Sequence, residues 1–298
     1  MKQDSDIQEY NPVALGTDYT TTDPAYYDPD FPPIHFPHVF LSKGKPIQSF
    51  MWLANGRKAK GCVIISPQRY GGDCLDSLIP ALVGAGINVL RFNPRGMWDK
   101  EEDYSFMSAV EDLHSAVAFL RQNSGRHATP PGTTFRPRTF LIDTDRIAVL
   151  GKSGGGGMVG WIAAAQNPAL ITVIPVSPNG LLSLPLPEEY SKAFVDLKES
   201  TAGRIDLNAE LEAVSPEDYH RFDMHKVASK LIDKNVLLIG HSDPEHVKNI
   251  HQPLIDTMQN VGAKHFSQAI LGADEYFLTA RIALARLIVS WLKVECGF

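Results

Sequence analysis

Basic clusters, long hydrophobic runs and a cysteine framework are all missing from this chain of 298 residues. Its 28 lysines and arginines are scattered and outnumbered by 34 acidic residues, giving a formal net charge of -6, so the footprint of a nucleic-acid binder is absent. No apolar stretch approaches the roughly 20 residues that a membrane span requires. The opening MKQDSDIQEYNPVALG is polar and acidic and has no apolar segment of the kind that directs secretion. The closing VECGF is neither a peroxisomal tripeptide nor a prenylation box, because Glu295 stands where that box has its cysteine. The expected location is therefore the cytoplasm. Cys62, Cys74 and Cys296 are odd in number and show no metal-ligand spacing, which fits a reduced compartment and packing roles.

What is present is regular alternation. Residues 1–32, rich in Asp, Tyr, Pro and Thr, carry no period and read as an irregular arm, with the tyrosines at 26 and 27 able to dock on the domain. HVFLSKGKP and IQSFMWLANG read as two strands joined at Gly44, and CVIISP as a central strand. Beyond Pro67, apolar strands such as INVLRF, RIAVLG, ITVIPVS, NVLLIG and HFSQAIL take turns with helical stretches such as FMSAVEDLHSAVAFLRQ and TARIALARLIVSWL. That order predicts an α/β fold, a mostly parallel sheet with helices on both faces, over 33–298. Residues 123–141 read as a surface insertion, and about 181–234 as a small helical cap over one end of the sheet.

The stretch RIAVLGKSGGGGMVGW carries the chemistry. A phosphate-binding G-x-x-x-x-G-K-[ST] loop needs a glycine five residues before Gly151, where Arg146 stands. Gly155, Gly157 and Gly160 satisfy G-x-G-x-x-G, yet no acidic residue follows between Met158 and Pro187 to hold a ribose. No cofactor is called for on either count. Gly151, Ser153 and Gly155 instead form G-x-S-x-G between an apolar strand and a small-residue helix, the setting of a nucleophile elbow, with the Gly154 N–H at the helix N-terminus as an oxyanion donor. The plainer alternative is a glycine-rich turn whose serine only caps the helix.

With the elbow GKSGG, the strand exit ISPQRYGG, the turn RFNPRG and the segment LLIGHSDPE, residues 35 to 294 resemble the α/β-hydrolase fold superfamily, most closely the dienelactone-hydrolase-like and acyl-peptidase-like serine hydrolases. The resemblance implies Ser153 as nucleophile, Asp243 as the acid of a triad, and a second oxyanion amide from Gln68 or Arg69. It also places the triad histidine after the last strand, where this chain reads GADEYF with Glu275 in the histidine's place. His265 begins that strand, six or seven residues or roughly 20 Å from its carboxyl end.

Other groups then come into question. His246 shares a loop with Asp243 and is preferred over His241, His220 and His225. Glu275 could serve as base if burial and the charge of Asp243 act on it. Lys152 is expected to point away from its neighbour Ser153, and Cys74 to be packed. Acyl chemistry at Ser153 on a hydrophobic small-molecule substrate is the leading expectation, as hydrolysis of an ester, thioester or carbon–carbon bond or as acyl transfer. A lyase or cyclase with a carboxylate base and a non-catalytic binding protein are the alternatives.

Overall fold

The structure, a computed structural model, describes residues 9–66, 74–96, 104–128, 138–178 and 222–298. Eight strands form one sheet: β1 (Ile34–Ser42), β2 (Lys45–Leu53), β3 (Lys60–Ser66), β4 (Asn88–Phe92), β5 (Ile142–Lys152), β6 (Thr172–Val176), β7 (Asn235–His241) and β8 (His265–Leu271). Their order is β1-β2-β4-β3-β5-β6-β7-β8. β2 runs antiparallel to both neighbours and every other pairing is parallel. The β1–β2 hairpin turns through Lys43 and Gly44, both at positive φ (50° and 81°), the backbone twist that a two-residue hairpin favours.

Alternation along the inner strands divides the core in two. Val63, Ile65, Ala148, Leu150, Val176, Leu237 and Ile239 pack with the helices α1 (Ile79–Gly84) and α6 (Arg281–Val294). Ile64, Val149, Val173 and Leu238 face the opposite way, toward α2 (Phe106–Asn123), α3 (Val159–Gln166), α4 (Met224–Val227) and α5 (Gln252–Asn260). Such two-sided burial is what the near-continuous apolar strands require. α3 is buried on nearly every side, and its Trp161 donates Nε1–H to the Met224 carbonyl at 3.1 Å. Among the described residues no helix is long and apolar enough to cross a membrane.

α2 begins with a reciprocal capping box between Ser105 and Ser108 and carries a buried acid, Asp112. Both oxygens of Asp112 are held by Arg95 of the RFNPRG turn, through the backbone N–H and Nε at 2.8 Å each. Asp112→Ala leaves the mostly buried guanidinium with Glu111 and the Ser108 carbonyl and is expected to cost about 3 kcal/mol, the usual penalty for breaking a buried pair from one side. A urea melt checks it, and a loss below about 1 kcal/mol, the level of an exposed pair, would contradict it.

The arm lies along α6 and the β8 edge. Glu9 bridges to Gln268, the Tyr10 N–H donates to the Gln268 carbonyl at 2.7 Å, and Asp18 pairs with Arg286 at 2.6 Å. Tyr26 and Tyr27, the expected docking groups, are exposed at 66% and 62%. A backbone that pairs with an open sheet edge anchors the arm without them. The expected cap falls largely on residues 179–221, outside the described residues. Phe222, at its carboxyl side, packs against Phe106 beside α3.

Candidate active site

Ser153 follows the last residue of β5 and has φ 54°. A left-handed conformation at a residue with a side chain is strained and persists only where its surroundings over-determine it. Here the surroundings are glycines. A Cβ on Gly151 would fall inside the contact distance of the Gly156 carbonyl, and one on Gly156 would lie 2.7 Å from the Ser66 carbonyl oxygen of β3. Residues 153–158 form one wide π-type turn before α3 continues the helix. The chain therefore doubles back within van der Waals contact of its own strand, leaving Ser153 and Gly154 partly exposed at the carboxyl edge of the sheet.

Two further side-chain-bearing residues at this edge have positive φ, Ser177 after β6 (41°) and Phe277 in the loop after β8 (54°). Ser177 is buried, and its Oγ lies 2.9 Å from His241 Nδ1. His241 ends β7 on the same sheet face as Leu237 and Ile239, and its ring meets Phe277 edge-on with centroids 6.3 Å apart. Neither group was singled out by a motif. The sequence signal for both is position alone, the last residue or the next after an apolar parallel strand, where ligands meet such sheets.

Lys152 corrects an expectation. It is 2% exposed, its Nζ lies 3.5 Å from Ser153 Oγ, and the ammonium position is 4.8 Å from the centroid of the Tyr276 ring. Neighbouring residues project to opposite faces only while both are extended. Ser153 is not extended, so its hydroxyl turns back toward the face that Lys152 shares with Leu150.

The loop after β8 is built on Asp274, whose Oδ1 accepts the N–H of Tyr276 at 2.8 Å and that of Leu278 at 3.4 Å. This winding turns Phe277 inward and leaves Glu275 exposed, without the burial that its role as a base would need. Asp243 is exposed as well and caps the short helix Pro244–His246, accepting the Glu245 N–H at 3.2 Å. His265 begins β8 and is exposed. Gln68 and Arg69 lie outside the described residues.

His246 is buried, not on the surface. Its ring stacks on His241 with centroids 4.1 Å apart, and His251 follows at 6.5 Å. Nε2 of His246 and Nδ1 of His251 are buried and have no hydrogen-bond partner among the described residues. Gly240 makes room for His251, since a Cβ there would lie 2.6 Å from its Nδ1. Burial, then the mutual repulsion of the imidazoles, holds His246 down at about 4. Burial also lowers His241, against the opposing charges of Glu275 and Asp243, and His251, against its bond to Gln268.

The folded protein thus binds fewer protons than the unfolded chain below the usual histidine value of about 6.5. This contribution to stability is complete above about pH 6.5 and lost as the pH falls toward 4, with His246, held lowest of the three, the largest contributor. Denaturant midpoints are expected to fall between pH 7.5 and 5, and less steeply in His246→Asn. Equal slopes in the two proteins would contradict the assignment.

No family model matches the chain, and no curated protein matches it. Solved structures do match its fold. The acylaminoacyl peptidase of Pyrococcus horikoshii aligns with a TM-score of 0.60 and 18% identity, over 88% of this chain and 41% of the peptidase. This chain thus spans about two fifths of that protein's length. The α/β hydrolase GrgF from Penicillium sp. sh18 aligns with a TM-score of 0.62 and 18% identity, over 90% of this chain and 100% of GrgF. Brefeldin A esterase, a bacterial homologue of human hormone sensitive lipase, gives 0.62 and 15%, over 97% and 81%. With a strand order of β1-β2-β4-β3-β5-β6-β7-β8, a strained serine at the β5 elbow and these neighbours, the chain has the α/β-hydrolase fold.

Proposed function

We propose that the protein is an enzyme of acyl chemistry in which Ser153 forms a covalent acyl intermediate. One observation carries the reading: the left-handed φ of Ser153 between two glycines that admit no side chain. Such strain at a partly exposed serine is hard to account for as packing or capping, because an extended or helical serine would cap the helix at no cost. The elbow puts Oγ at the edge of the sheet and the Gly154 N–H at the start of a helical turn, where the helix dipole favours a developing oxyanion. A second donor is expected in the loop after β3, where Gln68 and Arg69 stand. Among the fold neighbours are a peptidase and an esterase, which supports carbonyl substrates, esters first because their leaving groups need least assistance.

The test is labelling with a fluorophosphonate, which reacts with activated serines. The purified protein is expected to take up one probe, located by peptide mass at Ser153, and Ser153→Ala none. Absence of label on the folded wild-type protein, or equal label in the variant, would overturn the proposal and leave a binding protein on a hydrolase scaffold.

A further inference from the structure

The proposed acyl chemistry needs a group that removes the Ser153 proton, and the loop where the fold usually supplies it presents Glu275 to solvent instead. Resting on that reading, we infer that Lys152 is the catalytic base, forming a serine–lysine pair on consecutive residues.

Three observations support it. Lys152 Nζ is 3.5 Å from Ser153 Oγ, the outer limit of a hydrogen bond and a spacing common to catalytic pairs without bound substrate. The side chain is sequestered, at 2% exposure, beneath the Tyr276 ring, and no carboxylate among the described residues lies within ion-pair distance of it. A lysine kept for solubility would lie outside, whereas this one is held beside the Ser153 hydroxyl and the Tyr276 ring. Finally, the left-handed φ of Ser153 is what brings the two side chains of adjacent residues to one face. The strain therefore serves the pair as well as the nucleophile.

The steps balance. As Oγ bonds to the acyl carbon, its proton passes to the Lys152 amine and the carbonyl electron pair moves onto oxygen, held by the Gly154 N–H. The oxyanion collapses, the bond to the leaving group breaks, and that group takes the proton from Lys152. Water then gives a proton to the amine while its oxygen bonds to the acyl carbon, and Ser153 leaves and recovers the proton.

The competing base is the imidazole of His241, whose Nδ1 is engaged by Ser177 and whose charge interacts with those of Lys152, Glu275, Asp243 and Asp274. The experiment follows the rate of fluorophosphonate labelling against pH in wild type, Lys152→Met, Lys152→Arg and His241→Asn, with circular dichroism to establish folding. Lys152→Met is expected to slow labelling by about 10² to 10⁴-fold, the usual share of a general base. Lys152→Arg, which keeps the charge but stays protonated, is expected to be as slow as Lys152→Met.

A folded Lys152→Met or Lys152→Arg protein that labels within tenfold of wild type would overturn the inference. So would a loss of about 10² to 10⁴-fold in His241→Asn alone. Should the methionine variant not fold, Lys152→Arg decides by the same criteria. In these outcomes wild type still labels at Ser153, whereas failure of the acyl reading itself leaves wild type unlabelled.

Discussion

Ser153→Ala is expected to lower the turnover of an activated ester, such as a p-nitrophenyl ester, by about 10³-fold or more while leaving thermal stability nearly unchanged. The magnitude reflects what remains. Removing the nucleophile leaves the oxyanion donors and the binding surface in place, which in serine hydrolases still gives roughly 10³ to 10⁴-fold over water. The full loss in a complete triad reaches about 10⁶-fold in turnover. A smaller fall is expected here because Asp243 is spent on capping a short helix at the surface and Glu275 is exposed. Stability should hold, or rise slightly, because alanine at a left-handed φ exchanges one strained side chain for another of smaller size. A variant as active as wild type would show that the measured hydrolysis arises elsewhere on the protein.

Gly151→Ala is expected to damage both stability and activity. The new Cβ would meet the Gly156 carbonyl, and behind Gly156 stands the Ser66 carbonyl of β3, so neither backbone can give way without disturbing the central sheet. Overpacking of a core usually costs about 1 to 3 kcal/mol, and a site closed by rigid backbone on both sides belongs at the upper end or above. Relief of the clash must move the elbow, and a displacement near 1 Å at a nucleophile costs about 10²-fold in rate. Gly272→Ala is the matched control, since a Cβ there meets nothing within 4 Å. Melting curves and ester turnover of the two variants should separate clearly. If Gly151→Ala behaves like Gly272→Ala, the close approach of strand and helix is not what holds Ser153 in its conformation.

The inner sheet could be read from the residues because its strands are buried on both faces and so appear as short apolar runs that stand out against amphipathic helices. β5 to β8 lie where RIAVLG, ITVIPVS, NVLLIG and HFSQAIL predict. The elbow was legible for a related reason: only glycine fits where two backbones touch, so the constraint is written as residue type. The rest of the site was not, because it depends on where side chains turn after the strands end. The meeting of Lys152 with Ser153 hinges on one dihedral at Ser153, and strand alternation gives the wrong answer there. Ser177 and His241 meet across adjacent strands, 64 positions apart in the chain, and no local pattern marks the pair. His246 belongs with Asp243 by sequence, yet it packs inward on His241 because the short helix capped by Asp243 turns it under.

The central claim is that Ser153 carries the acyl group. The most direct measurement is peptide mass analysis of the protein quenched in acid during turnover of p-nitrophenyl acetate. One acetyl group per chain on the peptide that contains Ser153 is the predicted result, absent from Ser153→Ala and formed more slowly in Lys152→Met. Turnover with the Ser153 peptide unmodified throughout, or acetylation confined to surface lysines and unaffected by Ser153→Ala, would contradict it.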